Sequence, residues 1–486
     1  MNDATNTEEV KDDLRRRAVT GAMWTMGAQV GLYVLRFGGH LIVARLLAPQ
    51  AFALMLLVNT FIHGLIMFTD IGVNASIVQN PDGDDRRFLN TAWAIQVIRG
   101  LVLYAACLAL TYPYATFMER QALLTLVPVA GLTVLIEGFK STSLATMNRH
   151  MDLKRYMSFE VAVQVISTAT MIVWAWISPT VWALVAGVLV SSFVTLVGSH
   201  LLFGMERDRF ELHRQFVRVI VTFGAWVFVN TLLGYLADYV DRYALGKVIQ
   251  DDDLLGCYHV AVNLGGIPFM LLVAVGQAVV FPMMGRSREA GLELRRVYSK
   301  VKIPVYAAGG LAVSGLIAAG PQIIQVLYKE DFWDAGWMLI PVAAGQWFRI
   351  LAIPPANVVF ALGKIYWLSI ANAAKLVGYA VFVPLLWRAG GVEAALWGFA
   401  AGESLGIIVY TIALLKNDLG FPWRDAGLTA MVLAVSLAGY ALRTYWADRG
   451  VAPYLFVLGV GALVSLPWLS MAPAVLREIR RARQGT

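Results

Sequence analysis

The chain has few charged residues: they make up 15% of its 486 residues, whereas 58% are hydrophobic. A soluble protein carries about 25% charged residues, so an ordinary soluble domain is excluded. Cysteine is also scarce: Cys107 and Cys257 both lie in apolar stretches, so they do not indicate a disulfide framework and are interpreted as small buried hydrophobic residues. The sequence contains neither a phosphate-binding glycine loop nor an HxxxH histidine pair. We therefore expect no cofactor, no metal site and no ATP-driven pump.

Long apolar runs are abundant, and the mean hydropathy of the whole chain is high, +0.65. Runs of about 18–25 residues have the length that crosses a bilayer as a helix, and they do not alternate as barrel strands do. The sequence predicts an all-α polytopic membrane protein with about 14 transmembrane helices. Their predicted limits are 18–44, 51–72, 90–112, 121–143, 157–177, 182–203, 219–246, 255–283, 301–320, 336–361, 368–387, 393–415, 425–446 and 453–471.

Basic residues indicate the orientation. With the N-terminus in the cytoplasm, 27 of the 39 Lys and Arg residues fall on the cytoplasmic side and 7 on the other, as the positive-inside rule requires. An even number of spans then places both termini in the cytoplasm. The net charge of +7 is explained by this bias and by contact with anionic membrane lipids, so no nucleic-acid partner is expected.

A weak internal repeat predicts the domain organisation. TMGA at residues 25–28 opens the first span and TFGA at residues 222–225 opens the seventh. Because six spans separate them, the halves would be parallel repeats related by a pseudo-two-fold axis along the membrane normal, as in MATE-like folds. The predicted parts are a cytoplasmic tail (1–17), an N-lobe with helices 1–6 (18–203), a cytoplasmic linker (204–218), a C-lobe with helices 7–12 (219–415), and two further helices with a basic tail (416–486).

Five cations lie within predicted spans, and each costs about 2.5–3.5 kcal/mol at the bilayer centre unless it meets a partner or water. We predict that they line a cationic cavity that binds an anionic substrate. They are Arg36, Arg99, Arg242, Arg349 and Lys375. For Arg36, a structural ion pair with Asp70 or Glu137 is the alternative.

An acidic set of similar size accompanies the cations. Its members either pair with them or couple transport to a proton or sodium gradient, and the sequence leaves both open. They are Asp70, Glu137, Glu160, Asp238, Asp241 and Glu403. Asp238 and Arg242 are four residues apart and can pair on one helix face. In the tenth span, Pro354-Pro355 is expected to kink or break the helix.

Several stretches resemble the polysaccharide transporters of the Wzx type. They are ARLLAPQAFALMLLVNTF, FTDIGVNASIVQN, NRHMDLKRYMSFE followed by PTVWALVAGVLVSS, and DYVDRYALGKVIQDDDLLGCYHVAVNL. The resemblance extends over essentially the first 415 residues. This family belongs to the superfamily that includes the MATE multidrug antiporters and the lipid II flippase.

The resemblance implies a flippase, not an enzyme, in the bacterial inner membrane. It would carry an undecaprenyl-pyrophosphate-linked oligosaccharide to the outer leaflet by alternating access, for lipopolysaccharide or exopolysaccharide assembly. A polysaccharide polymerase and a chain-length regulator would be its partners. A MATE-like drug or cation antiporter is the first alternative. A membrane-embedded polymerase or ligase is the second, although no loop is long enough for a soluble catalytic domain.

Overall fold

The computed structural model describes residues 27–67, 72–150, 152–201, 208–276, 294–419, 422–447 and 452–469. Across these ranges the backbone forms helices and turns, and they contain no strand. Helices satisfy every interior backbone group within one segment, which an apolar surrounding demands. The predicted all-α class is confirmed.

The described helices follow the predicted spans. The first eight are α1 (27–46), α2 (Pro49–Met67), α3 (Val73–Gln79), α4 (Arg86–Met118), α5 (Leu123–Gly138), α6 (Ser143–Arg149), α7 (Leu153–Ile177) and α8 (Trp182–Leu201). The next seven are α9 (Arg214–Val248), α10 (Asp252–Val275), α11 (Leu294–Leu327), α12 (Ala335–Ala361), α13 (Tyr366–Leu415), α14 (Pro422–Ala447) and α15 (Pro453–Leu469).

Nine helices of the described ranges are long and apolar enough to cross a membrane, and the pair α5 and α6, bent by 59°, makes ten. The prediction of about 14 is larger because α13, with 50 residues, contains two predicted spans. The nine also leave out three further helices, α1, α9 and α15. Helix α1 is described from residue 27 only, several side chains of α9 lie outside the description, and α15 has 17 residues. Every predicted span nevertheless coincides with a described helix or with part of one. The chain is a multi-pass membrane protein.

Helix α13 changes direction at two glycines. Gly390 and Gly391 have non-helical backbone angles, and Gly391 has φ 63° and ψ −140°. Only glycine adopts such a conformation without strain. The turn lies between the predicted spans 368–387 and 393–415, so α13 consists of two limbs that can lie side by side.

Helix α12 runs through Pro354 and Pro355 as one helix, Ala335–Ala361; of the two expected outcomes, a kink or a break, the break is not found. Pro355 has no backbone N–H and cannot donate to the carbonyl of Leu351, so that carbonyl would ordinarily lack its helical hydrogen bond. The hydroxyl of the buried Tyr306 donates to that carbonyl at 2.9 Å. A side chain from α11 thus replaces a lost backbone bond and allows the helix to continue.

Contacts within the chain group it into two compact units. Unit 1 comprises the chain up to Leu47 together with Leu54–Tyr235, and unit 2 comprises Ala48–Ala53 and the chain from Leu236 onward. The boundary falls inside α9, beyond the predicted linker 204–218, of which residues 204–207 lie outside the description. The predicted domain limits remain a prediction.

Within unit 2, the two C-terminal helices pack on α11. Gly310 of α11 faces the ring of Trp468, and Gly439 of α14 faces Ala318. Near the predicted cytoplasmic ends, Lys302 Nζ lies 2.8 Å from Asp425 Oδ1. The two further helices predicted from the sequence are therefore an integral part of this unit.

The predicted orientation can be tested by cysteine labelling. Both native thiols, Cys107 and Cys257, are buried, so a membrane-impermeant maleimide should leave the parent chain unlabelled. Asp152 and Thr180 are exposed at opposite ends of α7. We expect Thr180→Cys to react in intact cells, and Asp152→Cys to react only after the inner membrane is opened. The reverse pattern would contradict the positive-inside assignment.

Candidate functional site

A charged cluster lies within unit 2, where α9, α10, α12 and α13 meet. It includes three of the predicted cations and three of the predicted acids, and tyrosines that sequence reasoning missed. The residues are Asp238, Asp241, Arg242, Tyr258, Arg349, Lys375, Tyr379 and Glu403. The charges balance, three against three, around a cavity of about 60 Å³, which is large enough to hold water.

Arg349 is the centre of this cluster. Its Nη2 lies 2.5 Å from Oδ1 of Asp238, and its Nε lies 3.9 Å from Oε1 of Glu403. The guanidinium also covers the ring of Phe269, 4.6 Å from the centroid. Burial of a charge is tolerated when it is paired and hydrogen-bonded in this way. Arg349 therefore joins α12 to α9, α10 and α13 in the described conformation.

Glu403 is held by the other limb of α13. Lys375 Nζ lies 3.1 Å from its Oε2, and the hydroxyl of Tyr379 donates to its Oε1 at 2.7 Å. The two limbs approach closely, because a Cβ on Gly378 would lie 2.8 Å from the Cα of Gly402. This glycine contact brings residues on either side of the turn together.

The acids of α9 have different partners from those that their spacing suggests. Asp238 and Arg242 do not form a side-chain pair: the Asp238 carboxylate binds Arg349, and Nη1 of Arg242 donates to the backbone carbonyl of Asp238 at 2.8 Å. The guanidinium of Arg242 lies over the ring of Tyr239. Asp241 accepts a short hydrogen bond from the hydroxyl of Tyr258.

Arg36 of unit 1 is in a different environment. It is exposed, and its Nε donates to Oε1 of Gln164 on α7 at 2.8 Å. No carboxylate of the described residues pairs with it, and Glu137 instead lies 3.7 Å from Lys140. Asp70, the other partner that the sequence suggested, lies outside the described residues. An exposed guanidinium in the middle of a span requires water or an anion around it.

A second cavity, of about 530 Å³, lies wholly within unit 1. Three residues predicted from membrane depth line it: Arg99, Glu137 and Glu160. Nη2 of Arg99 donates to the carbonyl of Ile66 at 2.9 Å, and Glu160 is hydrogen-bonded to Tyr156. The cavity itself could not be predicted, because its walls come from separate segments.

Arg149 fixes the wall of this cavity on the predicted cytoplasmic side. Its Nε lies 2.9 Å from Asp84, and its Nη1 donates to the carbonyls of Ile77, Val78 and Asn80 at the end of α3. The hydrogen bond from Arg149 holds the pKa of the Asp84 carboxyl below its ordinary value. In the sequence, Arg149 is one of the 27 basic residues on the predicted cytoplasmic side, and the pattern indicates no further role for it.

We expect Arg149→Met to loosen unit 1 and to lower the melting temperature of the purified protein. The loss should be present above the ordinary pKa of Asp84 and should shrink as the pH falls through the lowered pKa, because the protonated carboxyl no longer favours the ion pair. Thermal unfolding in detergent at several pH values measures it. The matched control is Arg87→Met, since Arg87 is exposed. Equal melting temperatures for the two variants at neutral pH would contradict the assignment.

Comparison with known proteins identifies relatives of low identity. The family described as "Polysaccharide biosynthesis protein" matches residues 42–335. Lipopolysaccharide biosynthesis protein WzxC of Escherichia coli (strain K12) is 22% identical over 422 residues, 85% of this chain and 84% of that protein. Succinoglycan biosynthesis transport protein ExoT of Rhizobium meliloti (strain 1021) is 20% identical over 394 residues, 74% of this chain and 78% of that protein.

Two solved structures share the fold. The lipid II flippase MurJ, in an inward closed conformation, superimposes with a TM-score of 0.74 at 13% identity, over 93% of this chain and 99% of that chain. An inward-facing MATE family multidrug resistance transporter gives 0.64 at 15% identity, over 79% and 94%. These similarities confirm the predicted MATE-like fold.

Proposed function

The chain belongs to the polysaccharide biosynthesis protein family, whose match covers residues 42–335, and on this premise we propose that it is a flippase for a lipid-linked oligosaccharide. The observation that carries the proposal is this membership, together with relatives named for lipopolysaccharide, teichuronic acid and succinoglycan biosynthesis. The substrate would be an undecaprenyl-pyrophosphate-linked repeat unit, moved from the inner to the outer leaflet of a bacterial inner membrane. No covalent step is part of this activity.

The physical problem of such a reaction is the headgroup. Moving it through hydrocarbon would expose several hydroxyls and at least two phosphate charges, each at a cost of several kcal/mol. The lipid tail would remain in the bilayer while the headgroup crosses beside fixed cations and water. Arg36 supports this mechanism, because it is a mid-span guanidinium without a carboxylate partner among the described residues. Alternating access would then release the headgroup on the other side.

The cluster of unit 2 has a different role in this proposal. Arg242, Arg349 and Lys375 face three carboxylates, so in the described conformation they offer little net charge to a pyrophosphate. Protonation of Glu403 and binding of a sodium ion would each add one positive charge to this balanced cluster, so its charge balance is compatible with either coupling ion. A polymerase and a chain-length regulator would accept the flipped unit.

Deletion of the gene in its host tests the function. We expect loss of a surface polysaccharide and accumulation of the lipid-linked repeat unit in the inner leaflet, both restored by the wild-type chain. If the chain were a MATE-like antiporter, deletion would leave the surface polysaccharide unchanged and would increase the sensitivity of the cells to cationic drugs. A polymerase or ligase predicts that the repeat unit still reaches the outer leaflet but is not joined or transferred there.

A further inference from the structure

The cavity of unit 1 has the composition of a carbohydrate site. Its lining contains amide and hydroxyl side chains, one tyrosine, two cations and two carboxylates, together with apolar side chains. Its volume, about 530 Å³, falls within the range of small-molecule sites. In the predicted orientation it lies at the cytoplasmic ends of α4 to α7, on the side where a flippase receives its substrate.

Hydrogen-bonding capacity is available in this cavity. The side chains of Asn74, Gln79 and Asn148 line it and make no hydrogen bond to another residue of the described ranges. Each amide offers donors and an acceptor together, which matches a sugar hydroxyl because a hydroxyl also donates and accepts. Tyr156 adds an aromatic side chain, the kind of surface on which a sugar ring packs.

The charges of the cavity do not favour a strongly anionic occupant. Arg99 and Lys140 face Glu137 and Glu160, so the described lining is neutral. A pyrophosphate placed there would meet two carboxylates as well as two cations, and would gain no net electrostatic attraction. The cavity therefore differs from the surroundings of Arg36, where no acid of the described residues opposes the cation.

The walls are held in place before any ligand binds. Gly100 and Gly138 allow α4 and α5 to cross closely, since a Cβ on either would lie 2.9 Å from the other's Cα. Gln96 Nε2 donates to the carbonyls of Glu137 and Lys140 at 3.0 and 3.2 Å. Arg149 fixes α3 on the facing side. A site formed in advance loses less conformational entropy on binding.

We propose that this cavity binds neutral sugar residues of the lipid-linked repeat unit on the cytoplasmic side, while the pyrophosphate lies outside it. The inference rests on the proposed function and adds a site for the glycan that is separate from the cationic residue Arg36. It assigns Asn148 and Gln79 as glycan-binding residues.

Binding of two lipids to the purified full-length chain in detergent tests this inference. The probes are undecaprenyl pyrophosphate and the glycosylated lipid extracted from the deletion strain. We expect the double variant Asn148→Ala/Gln79→Ala to bind the glycosylated lipid about tenfold more weakly, as loss of a few hydrogen bonds implies, with an unchanged Kd for undecaprenyl pyrophosphate. Gln121→Ala, an exposed glutamine outside the cavity, is the matched control.

The possible outcomes separate the two proposals. If the wild-type chain binds neither lipid, the proposed function fails and the glycan site with it. If the wild type prefers the glycosylated lipid but the double variant keeps that preference, only the glycan site is wrong. An equal loss for both lipids would also overturn it. Ala75→Leu, which places a larger side chain on the cavity wall, should reproduce the selective loss without removing a polar group.

Discussion

Replacing Arg349 by methionine is expected to destabilise the protein strongly, so that much less folded protein is recovered from the membrane. The guanidinium lies against Asp238 and Glu403, and its loss leaves a partly buried cluster with one uncompensated negative charge. Removing one partner of a fully buried pair costs about 3–5 kcal/mol. Because the Asp238 side chain is 41% exposed, we expect a smaller cost, which is still a considerable part of the roughly 5–15 kcal/mol that stabilises a folded protein. The measurement is the melting temperature of the purified protein in detergent, with size-exclusion chromatography as the readout of folded protein.

A second substitution separates charge balance from other causes. Asp238→Asn restores neutrality in the Arg349→Met background, so the double variant should be more stable than Arg349→Met alone. Arg388→Met is the matched control, because Arg388 is exposed and lies outside the cluster. If Arg349→Met melts at the same temperature as Arg388→Met, the buried ion pairs do not hold unit 2 together.

Replacing Arg36 by glutamine should have the opposite profile, with normal protein level and lost export. Arg36 is exposed and its described side-chain hydrogen bond goes to the neutral Gln164, so folding does not depend on its charge. A hydrogen bond to a charged group contributes about 1.5–3 kcal/mol, which corresponds to roughly a tenfold to hundredfold loss. The measurement is surface polysaccharide and inner-leaflet repeat unit in the complemented deletion strain.

Arg36→Lys is the conservative companion of that variant. It keeps the positive charge but loses the planar fork that matches a phosphate, so we expect intermediate export. Normal export with Arg36→Gln would show that the mid-span cation does not take part in transport. A parallel fall in protein level would instead indicate a structural role for the contact with Gln164.

The helices could be predicted from the sequence because hydrocarbon demands long apolar runs. The continuous course of α12 could not, since it depends on Tyr306, 45 residues before the carbonyl that its hydroxyl binds. The partners of Arg349 come from residues 111 and 54 positions away. Charge at membrane depth indicated that partners exist, and only the packing of α9 and α13 identifies them.

The cavity of unit 1 shows the same limit more strongly. Arg99, Glu137 and Glu160 were found by their depth in the membrane, but Asn74, Gln79 and Asn148 lie near helix ends where polar residues are common. No local pattern distinguishes these amides from ordinary loop residues. They become a candidate site only because the helices of unit 1 bring separate segments to one cavity.

The most direct test of the central claim is transport by the purified chain in liposomes. The glycosylated undecaprenyl-pyrophosphate lipid is placed in both leaflets, and an external lectin measures how quickly the inner pool reaches the outer surface. We expect rapid exposure with the wild-type chain and slow exposure with Arg36→Gln reconstituted at equal density. Exposure as slow as in protein-free liposomes, for a correctly folded wild-type chain under an imposed proton gradient, would contradict the proposed flippase activity.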